Sequence, residues 1–400
     1  MSHAAWIHPD FVLVDERGSA TAAQLADAAR ALARGIPRHS RVGLPDGDAR
    51  SILVALLAVE AVEADLFVIR DPATDAEVAW RIEGDSIVAQ SAAAPAADGL
   101  VWLQTSGSTG RPKWVPHRPA DLRRAIAAGH PHARWLLTYA PGGFAGLQVM
   151  LSAAIGGHRL VAAAAPSVGQ LAELATRHAI THVSGTPTFW RAFLMALGEA
   201  DLPLAAATLG GEAADQGLLD ALRNRFPAAR LRHLYATTEL GTVFSVADGR
   251  AGFPAAWLDT DLAGLCLTVT DRDTLAVARG DDAFHDTGDR VTLVGDRIQF
   301  RGRYDQMVNV GGVKIWPEEV EAHLLELPVL RDALVSARPS PITGSILIAD
   351  LVPADASAQA ECDTLVRAHL EKLPRPARPA MIRYSAALPT GRTGKKLRMP

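Results

Sequence analysis

An α/β fold of two unequal domains is the prediction from this 400-residue sequence, and three observations carry it. Helix-period segments alternate with short apolar runs from Gln24 to Glu239, which is the pattern of layered α/β structure. A glycine-punctuated β segment, "FHDTGDRVTLVGDRIQFRGRYD", follows. Beyond it, "PEEVEAHLLEL" opens a new α+β unit. The expected architecture is a large N-terminal domain of layered α/β subdomains (residues 1–302) and a small, mobile C-terminal domain (303–400). The boundary falls near Arg303 and Asp305, where the β segment gives way.

Each element has its own signal. "AAQLADAARALARG" spaces Leu25, Ala28 and Leu32 at helical intervals and stops at Gly35. In "SILVALLAVEAVEADLFVI", Glu60, Glu63 and Asp65 interrupt the apolar run, so it reads as a core helix leading into a strand and not as a membrane span. "DGLVWLQT" is a strand that feeds a Gly/Ser loop, and "PADLRRAIAAG" reads as the next helix. "VGQLAELATRHA" followed by "ITHVSGTP" repeats the helix-to-strand step, as does "QGLLDALRNRF" followed by "ARLRHLYATTE". In the C-terminal unit Pro317 starts a helix with Val320, Leu324 and Leu327 on one face. "QSAAAPAADG" reads as a surface linker.

Composition narrows the function classes. With 48% hydrophobic and 21% charged residues and a net charge of −4, the chain is globular and not a dedicated nucleic-acid binder. Cys266 and Cys362 have no paired spacing, which excludes a disulfide framework and a thiolate zinc site. The start "MSHAAWIHPDF" lacks a basic segment followed by an apolar core, so no secretory signal is expected. A cytoplasmic location is the resulting expectation, with neither membrane nor nucleic acid as partner.

The segment "QTSGSTGRPKWVPH" (104–117) concentrates glycines, hydroxyls and two cations in one loop. It is not the common P-loop, because Pro112 separates Gly110 and Arg111 from Lys113, and Trp114 stands where the magnesium-binding hydroxyl belongs. Backbone N–H groups and hydroxyls of Thr105, Ser106, Gly107, Ser108, Thr109 and Gly110, with Lys113, can nonetheless wrap phosphates, the glycines allowing close approach. The bland alternative is a hairpin tip.

Five blocks in order resemble the signatures of the adenylate-forming (AMP-binding) superfamily, which holds acyl- and aryl-CoA synthetases, peptide-synthetase adenylation domains and luciferases. They are "TSGSTGRPK", "YATTE", "DTGD", "RGRYDQMVNVGGVKIWPEEVE" and "PTGRTGKK". The resemblance implies ATP, Mg²⁺ and CoA or phosphopantetheine as co-reactants, and a small carboxylic acid as substrate. It also implies roles. Residues 105–113 would hold the β- and γ-phosphates; Tyr235 would lie against adenine; Thr238 would reach a phosphate oxygen and Glu239 would hold Mg²⁺. Asp289 would accept from the ribose hydroxyls, with Arg303 on ribose or phosphate, and Gly211 and Glu212 of "LGGEA" would border the nucleotide. Asp305 would be the hinge, and Lys395 would bridge carboxylate and α-phosphate. Lys396 is adjacent and stays open as the bridging lysine, although its loss is expected to be mild. Read blandly, Tyr235 ends a buried strand, Glu239 caps a following helix, and Asp286–Asp289 is a β-turn.

The acyl pocket is assigned to Phe144, Gly146, Trp190, Gly210 and Ala236. Ala236 stands where the family usually has glycine and should narrow the floor, favouring a small, aromatic-compatible acid over a long acyl chain. Gly311 and Gly312 match the passage for pantetheine. That arm belongs equally to CoA and to an acyl or aryl carrier protein, so CoA ligation and carrier loading both stay open. From Lys372 to Pro400 there are eight Lys/Arg and no acid, read as a surface facing ATP and an anionic thiol carrier. Two other classes are weighed: a P-loop-type ATPase or kinase, and a non-catalytic nucleotide-binding regulatory protein.

Overall fold

A computed structural model of the chain describes residues 6–45, 47–71, 77–90, 97–105, 113–124, 126, 132–237, 240–341, 343–389 and 396. Its large N-terminal domain is mixed α/β around two sheets, and a smaller C-terminal domain follows.

The first sheet has eight strands in the order Gly241–Val246, Arg230–Thr237, Ala206–Gly210, His182–Gly185, Arg134–Leu136, Arg159–Val161, Val12–Asp15 and Gly18–Thr21. Its six inner strands are parallel and each edge strand is antiparallel. The second has six strands, Ser86–Ala89, Trp80–Glu83, Arg41–Pro45, Asp65–Ile69, Val101–Thr105 and Lys113–His117, with the middle four parallel.

Side-chain alternation on the first sheet builds two cores. Leu160 joins a cluster with the helices Ala22–Ala33, Ala49–Ala61 and Phe144–Ile155 and with Val42, Leu66 and Leu103 of the second sheet. Its neighbour Val161 faces the other way, onto the helices Val168–Arg177, Pro187–Leu197 and Gln216–Arg225. Local chemistry starts these helices. Thr21 with Gln24, and Ser167 with Gln170, form capping boxes, Asp48, Thr186 and Asp215 cap three more, and Phe144–Ile155 starts at Gly143 without a side-chain cap.

The acid-interrupted run forms the helix Ala49–Ala61 and the strand Asp65–Ile69. Asp65 is fully buried because its carboxylate accepts from the backbone of Asp98 and Leu100 and from the Trp102 indole. Among the described residues no helix is long and apolar enough to cross a membrane.

A five-stranded antiparallel sheet comes next: Phe253–Pro254, Arg297–Arg303, His285–Val294, Thr274–Arg279 and Leu265–Val269. The C-terminal domain then pairs Val308–Val310 with Val313–Ile315, and packs Pro317–Leu324 and Gln359–Leu370 on the strands Leu330–Ser340, Gly344–Pro353 and Met381–Tyr384.

Three local expectations change. The helix at "PADLRRAIAAG" is described only over Pro119–Arg123. "DTGD" is not a turn between strands. It lies inside His285–Val294, where Gly288 takes φ +71° and the register shifts between Asp289 and Val291. The bonds Gly288 N–H to Asp286 and Asp289 N–H to Thr287 Oγ1 are turn-like, but they serve a bulge. After Glu239 comes the strand Gly241–Val246 and not a helix to cap.

Candidate active site

The parallel strands His182–Gly185, Ala206–Gly210 and Arg230–Thr237 end side by side, with Gly185 opposite Leu209 and Gly210 opposite Leu234. Ligands of open α/β sheets bind outside such carboxyl ends. Gly210 is followed by Gly211 at φ +82°, a left-handed turn that a side chain would strain. The turn delivers Glu212 to the start of the helix Pro187–Leu197, where its carboxylate accepts from Thr188 N–H at 3.0 Å. Tyr139 lies at this edge too: a Cβ on Gly210 would sit 3.9 Å from its hydroxyl. Burial raises the Tyr139 pKa; a hydrogen bond with Ser184 opposes the shift and the Glu212 charge adds to it. The sequence reading did not single out Tyr139, because one tyrosine three residues past the strand Arg134–Leu136 has no periodic or motif signal.

Tyr235, Asp289, Arg303 and Asp305 form one connected group. The Tyr235 hydroxyl donates to Asp289 Oδ2 at 2.5 Å across 54 residues of sequence. Arg303, paired with Asp289 in the ladder, approaches Asp289 Oδ1 at 3.5 Å and donates through Nε to Asp305 Oδ1 at 3.1 Å. Burial alone would lower the Arg303 pKa, but Asp305 and Asp289 hold it above the ordinary value. Tyr235 packs against Phe244 and Phe300, with ring centroids 5.2 and 4.8 Å away. Its phenol is pushed up by burial first and by Asp289 second, so it stays protonated and donating at neutral pH. The Asp289 side chain keeps 22% of its surface exposed.

The strands on either side of the glycine-rich segment pair antiparallel, with Thr105 opposite Lys113. Ser106, Gly107, Ser108, Thr109 and Gly110 lie outside the described residues, as do Thr238, Glu239 and Lys395.

The pocket assignments divide. Phe144 is half-buried with its ring 5.6 Å from His117, and a Cβ on Gly241 would lie 3.9 Å from its tip. Ala236 sits at the irregularity between Arg230–Thr237 and its antiparallel neighbour, opposite Thr242. Both lie near the start of the strand Gly241–Val246, beside the carboxyl end of Arg230–Thr237. Trp190 does not line a pocket: it is completely buried, its indole donates to Thr208 O at 2.9 Å, and it packs edge-on to Phe193. Gly146 is likewise a packing residue. A Cβ there would lie 2.1 Å from the Ala140 carbonyl, so glycine lets the helix Phe144–Ile155 seat on that turn. Gly311 and Gly312, at φ +60° and +86°, form the two-residue turn between Val308–Val310 and Val313–Ile315. That turn alone accounts for both glycines.

Two further groups bear on cofactors and closure. His323, Glu326 and His369 are close enough to share a metal ion. Glu326 Oε2 lies 3.4 Å from His323 Nδ1 and 3.3 Å from His369 Nε2, while the imidazoles stack at 3.9 Å and each Nε2 also faces the other residue's carbonyl. Lys396 meets both domains: its backbone N–H donates to Glu212 at 3.2 Å, and its Nζ reaches Asp332 at 2.8 Å and Ala333 O at 2.6 Å.

Comparison with known proteins agrees with this layout. A family model described as "AMP-binding enzyme" matches residues 42–271, and one described as "AMP-binding enzyme C-terminal domain" matches 319–395. An isonitrile lipopeptide synthase of Streptomyces coeruleorubidus is 30% identical over 90% of this chain, and the match covers 27% of that protein. A human mitochondrial acyl-coenzyme A synthetase is 31% identical over 33% of this chain and 23% of its own length. The chain therefore spans about a quarter of each of these relatives. Among solved structures, an Escherichia coli MenE with bound OSB-AMS superposes with TM-score 0.70 at 20% identity, covering 93% of this chain and 90% of that one. The anthranilate CoA ligase AuaEII with anthranoyl-AMP gives 0.72 at 17%, covering 96% and 92%. At such identities the likeness concerns the fold.

Proposed function

The chain belongs to the AMP-binding enzyme family, and from that premise we propose that it is an ATP-dependent acid–thiol ligase acting on a small carboxylic acid. A carboxylate oxygen attacks the α-phosphorus of ATP, the bond to pyrophosphate breaks, and an acyl adenylate forms. A thiol then attacks the acyl carbon and AMP leaves. Both reactants of the first step are anions, so the protein's contribution is positioning and charge neutralisation.

The observation that carries this reading is the Tyr235–Asp289–Arg303–Asp305 group at the carboxyl end of the strand Arg230–Thr237. In our reading Asp289 accepts from the ribose hydroxyls, and Tyr235 both fixes that carboxylate and borders the adenine. Residues 105–113 hold the β- and γ-phosphates, Thr238 binds a phosphate oxygen, and Lys395 bridges the carboxylate and the α-phosphate. Glu239 would hold Mg²⁺, which supplies charge neutralisation on the phosphate oxygens. Gly210, Gly211 and Glu212 lie between nucleotide and acid, with Phe144, Ala236 and Tyr139 around the acyl group. We assign residues 1–302 and 303–400 to two domains that pivot at Asp305, so that adenylation and thioester formation use different orientations. The proposed setting is the cytoplasm.

CoA is our first assignment for the thiol, its pantetheine passing Gly311 and Gly312. A second reading, transfer to the phosphopantetheine arm of an acyl or aryl carrier protein, is supported by the lipopeptide synthase, which aligns with far more of this chain than the acyl-coenzyme A synthetase does. Product analysis tests the common step. With Mg²⁺, ATP and the right acid, AMP and pyrophosphate accumulate; ADP and phosphate in their place would defeat the assignment.

A further inference from the structure

Lys396 follows the lysine assigned to chemistry, and its own contacts are unlike those of a loop bystander. Its side chain is only 12% exposed and its ammonium lies 2.8 Å from Asp332, a carboxylate that is itself 8% exposed. Asp332 stands at the irregular start of the strand Leu330–Ser340, where it also accepts from Ala333 N–H at 2.9 Å. Across the domain junction Asp332 faces Arg191 of the helix Pro187–Leu197 at 4.0 Å. Arg191 in turn pairs with Asp215, the N-cap of the helix Gln216–Arg225. The Lys396 backbone N–H closes the loop by donating to Glu212. The chain Asp215–Arg191–Asp332–Lys396 thus alternates in charge and crosses between the domains, and Arg191, Asp332 and Lys396 are largely shielded from water.

We propose that Lys396, Asp332 and Arg191 form an interdomain latch that selects the adenylation orientation, with Lys396 as a positioning residue for its neighbour. The proposal rests on the two-orientation reading above. Its physical basis is that a shielded carboxylate needs its cations. When the C-terminal domain turns away, Asp332 loses Arg191, and the Lys396 backbone loses Glu212. Within the closed state, Asp332 is neutralised from both sides at once. The latch also explains how the C-terminal segment is aimed: Glu212 fixes the main chain at 396 while Asp332 and Ala333 O fix its side chain. A latch at Lys396 departs from the expectation that its loss is mild.

The test compares Lys396→Met, which keeps length and removes charge, with Arg191→Met, Asp332→Asn and the Lys396→Met/Asp332→Asn pair, which leaves no uncompensated carboxylate at 332. Spin labels on Glu199→Cys and Thr364→Cys, in a Cys266→Ser background, report the interdomain distance in the full chain without relying on activity. The latch predicts that Lys396→Met and Arg191→Met each cut the closed population and the acid-dependent formation of adenylate by about tenfold. Thioester formation from preformed adenylate should stay within about twofold of the parent, since the latch is open in that step. An unchanged distance distribution in folded Lys396→Met would overturn the proposal. So would equal losses in both half-reactions tracking a fall in thermal stability, because that marks a merely structural role. If the parent shows no acid-dependent adenylate formation with any acid, the functional reading fails, and the distance measurement still decides the latch.

Discussion

Replacing Asp289 by alanine separates nucleotide binding from local folding with a calculable result. The carboxylate accepts from Tyr235 at 2.5 Å and faces Arg303 at 3.5 Å, with 22% of its side chain exposed. Hydrogen bonds to a charged acceptor contribute about 1.5–3 kcal/mol each, and a buried donor left without one costs about 1–3 kcal/mol. Tyr235 is largely shielded, so the variant should lose about 1–2 kcal/mol of folding stability even without ligand, the partial exposure of Asp289 keeping the figure low. If Asp289 also accepts from the ribose, ATP binding should weaken by a further 1–3 kcal/mol or so, about 5- to 150-fold in Kd. Calorimetric titration of ATP, beside urea unfolding of the same preparations, measures both. Tyr235→Phe is the internal comparison: it removes the internal donor but leaves the carboxylate, so stability should fall while ATP affinity falls less. An Asp289→Ala protein that unfolds earlier yet binds ATP as the parent does would reduce Asp289 to a partner of Tyr235, and the ribose assignment would be wrong.

Loss of Lys395 should strike one half-reaction. Lys395→Ala is expected to slow adenylate formation by about a hundredfold or more, and to leave thioester formation from preformed adenylate close to the parent rate; equal damage to both would refute the two-orientation scheme. Trp190→Ala should cost about 3–5 kcal/mol of stability, since a fully buried indole and its bond to Thr208 are both lost. Trp190→Phe, milder in folding, should leave the preference among acids unchanged in a substrate panel. A shifted preference would return Trp190 to the pocket lining.

Much of this architecture can be read from local chemistry. The helices at Ala22, Val168 and Gln216 carry their caps in sequence, and apolar period alone gives their inward faces. Tyr235 and Asp289 stand in blocks that the family resemblance groups around one nucleotide, and they are in hydrogen-bond contact. "DTGD" misleads because a β-bulge and a β-turn draw on the same side-chain-to-backbone bonds, so local preference cannot tell them apart. Trp190 misleads differently: a large aromatic just after a strand end suits a pocket wall or a core equally, and only the Thr208 carbonyl decides. Gly146 has the same ambiguity, since open space and a tight helix–turn contact both demand the smallest residue. Arg191, Asp332 and Lys396 carry no sequence signal as a group, because three domain-crossing charges become a set only when the chain is folded.

The most direct measurement is acid-dependent exchange of labelled pyrophosphate into ATP, made with the full chain and Mg²⁺ across a panel of small aliphatic and aromatic acids. Exchange requires a reversible acyl adenylate and no thiol, so it isolates the step assigned to Asp289, Glu239 and Lys395. The account predicts label in ATP only when a matching acid is present, strongest among small acids, and abolished by Lys395→Ala. Absence of exchange with every acid, from a folded protein that still binds ATP, would contradict it and leave a nucleotide-binding protein without ligase chemistry.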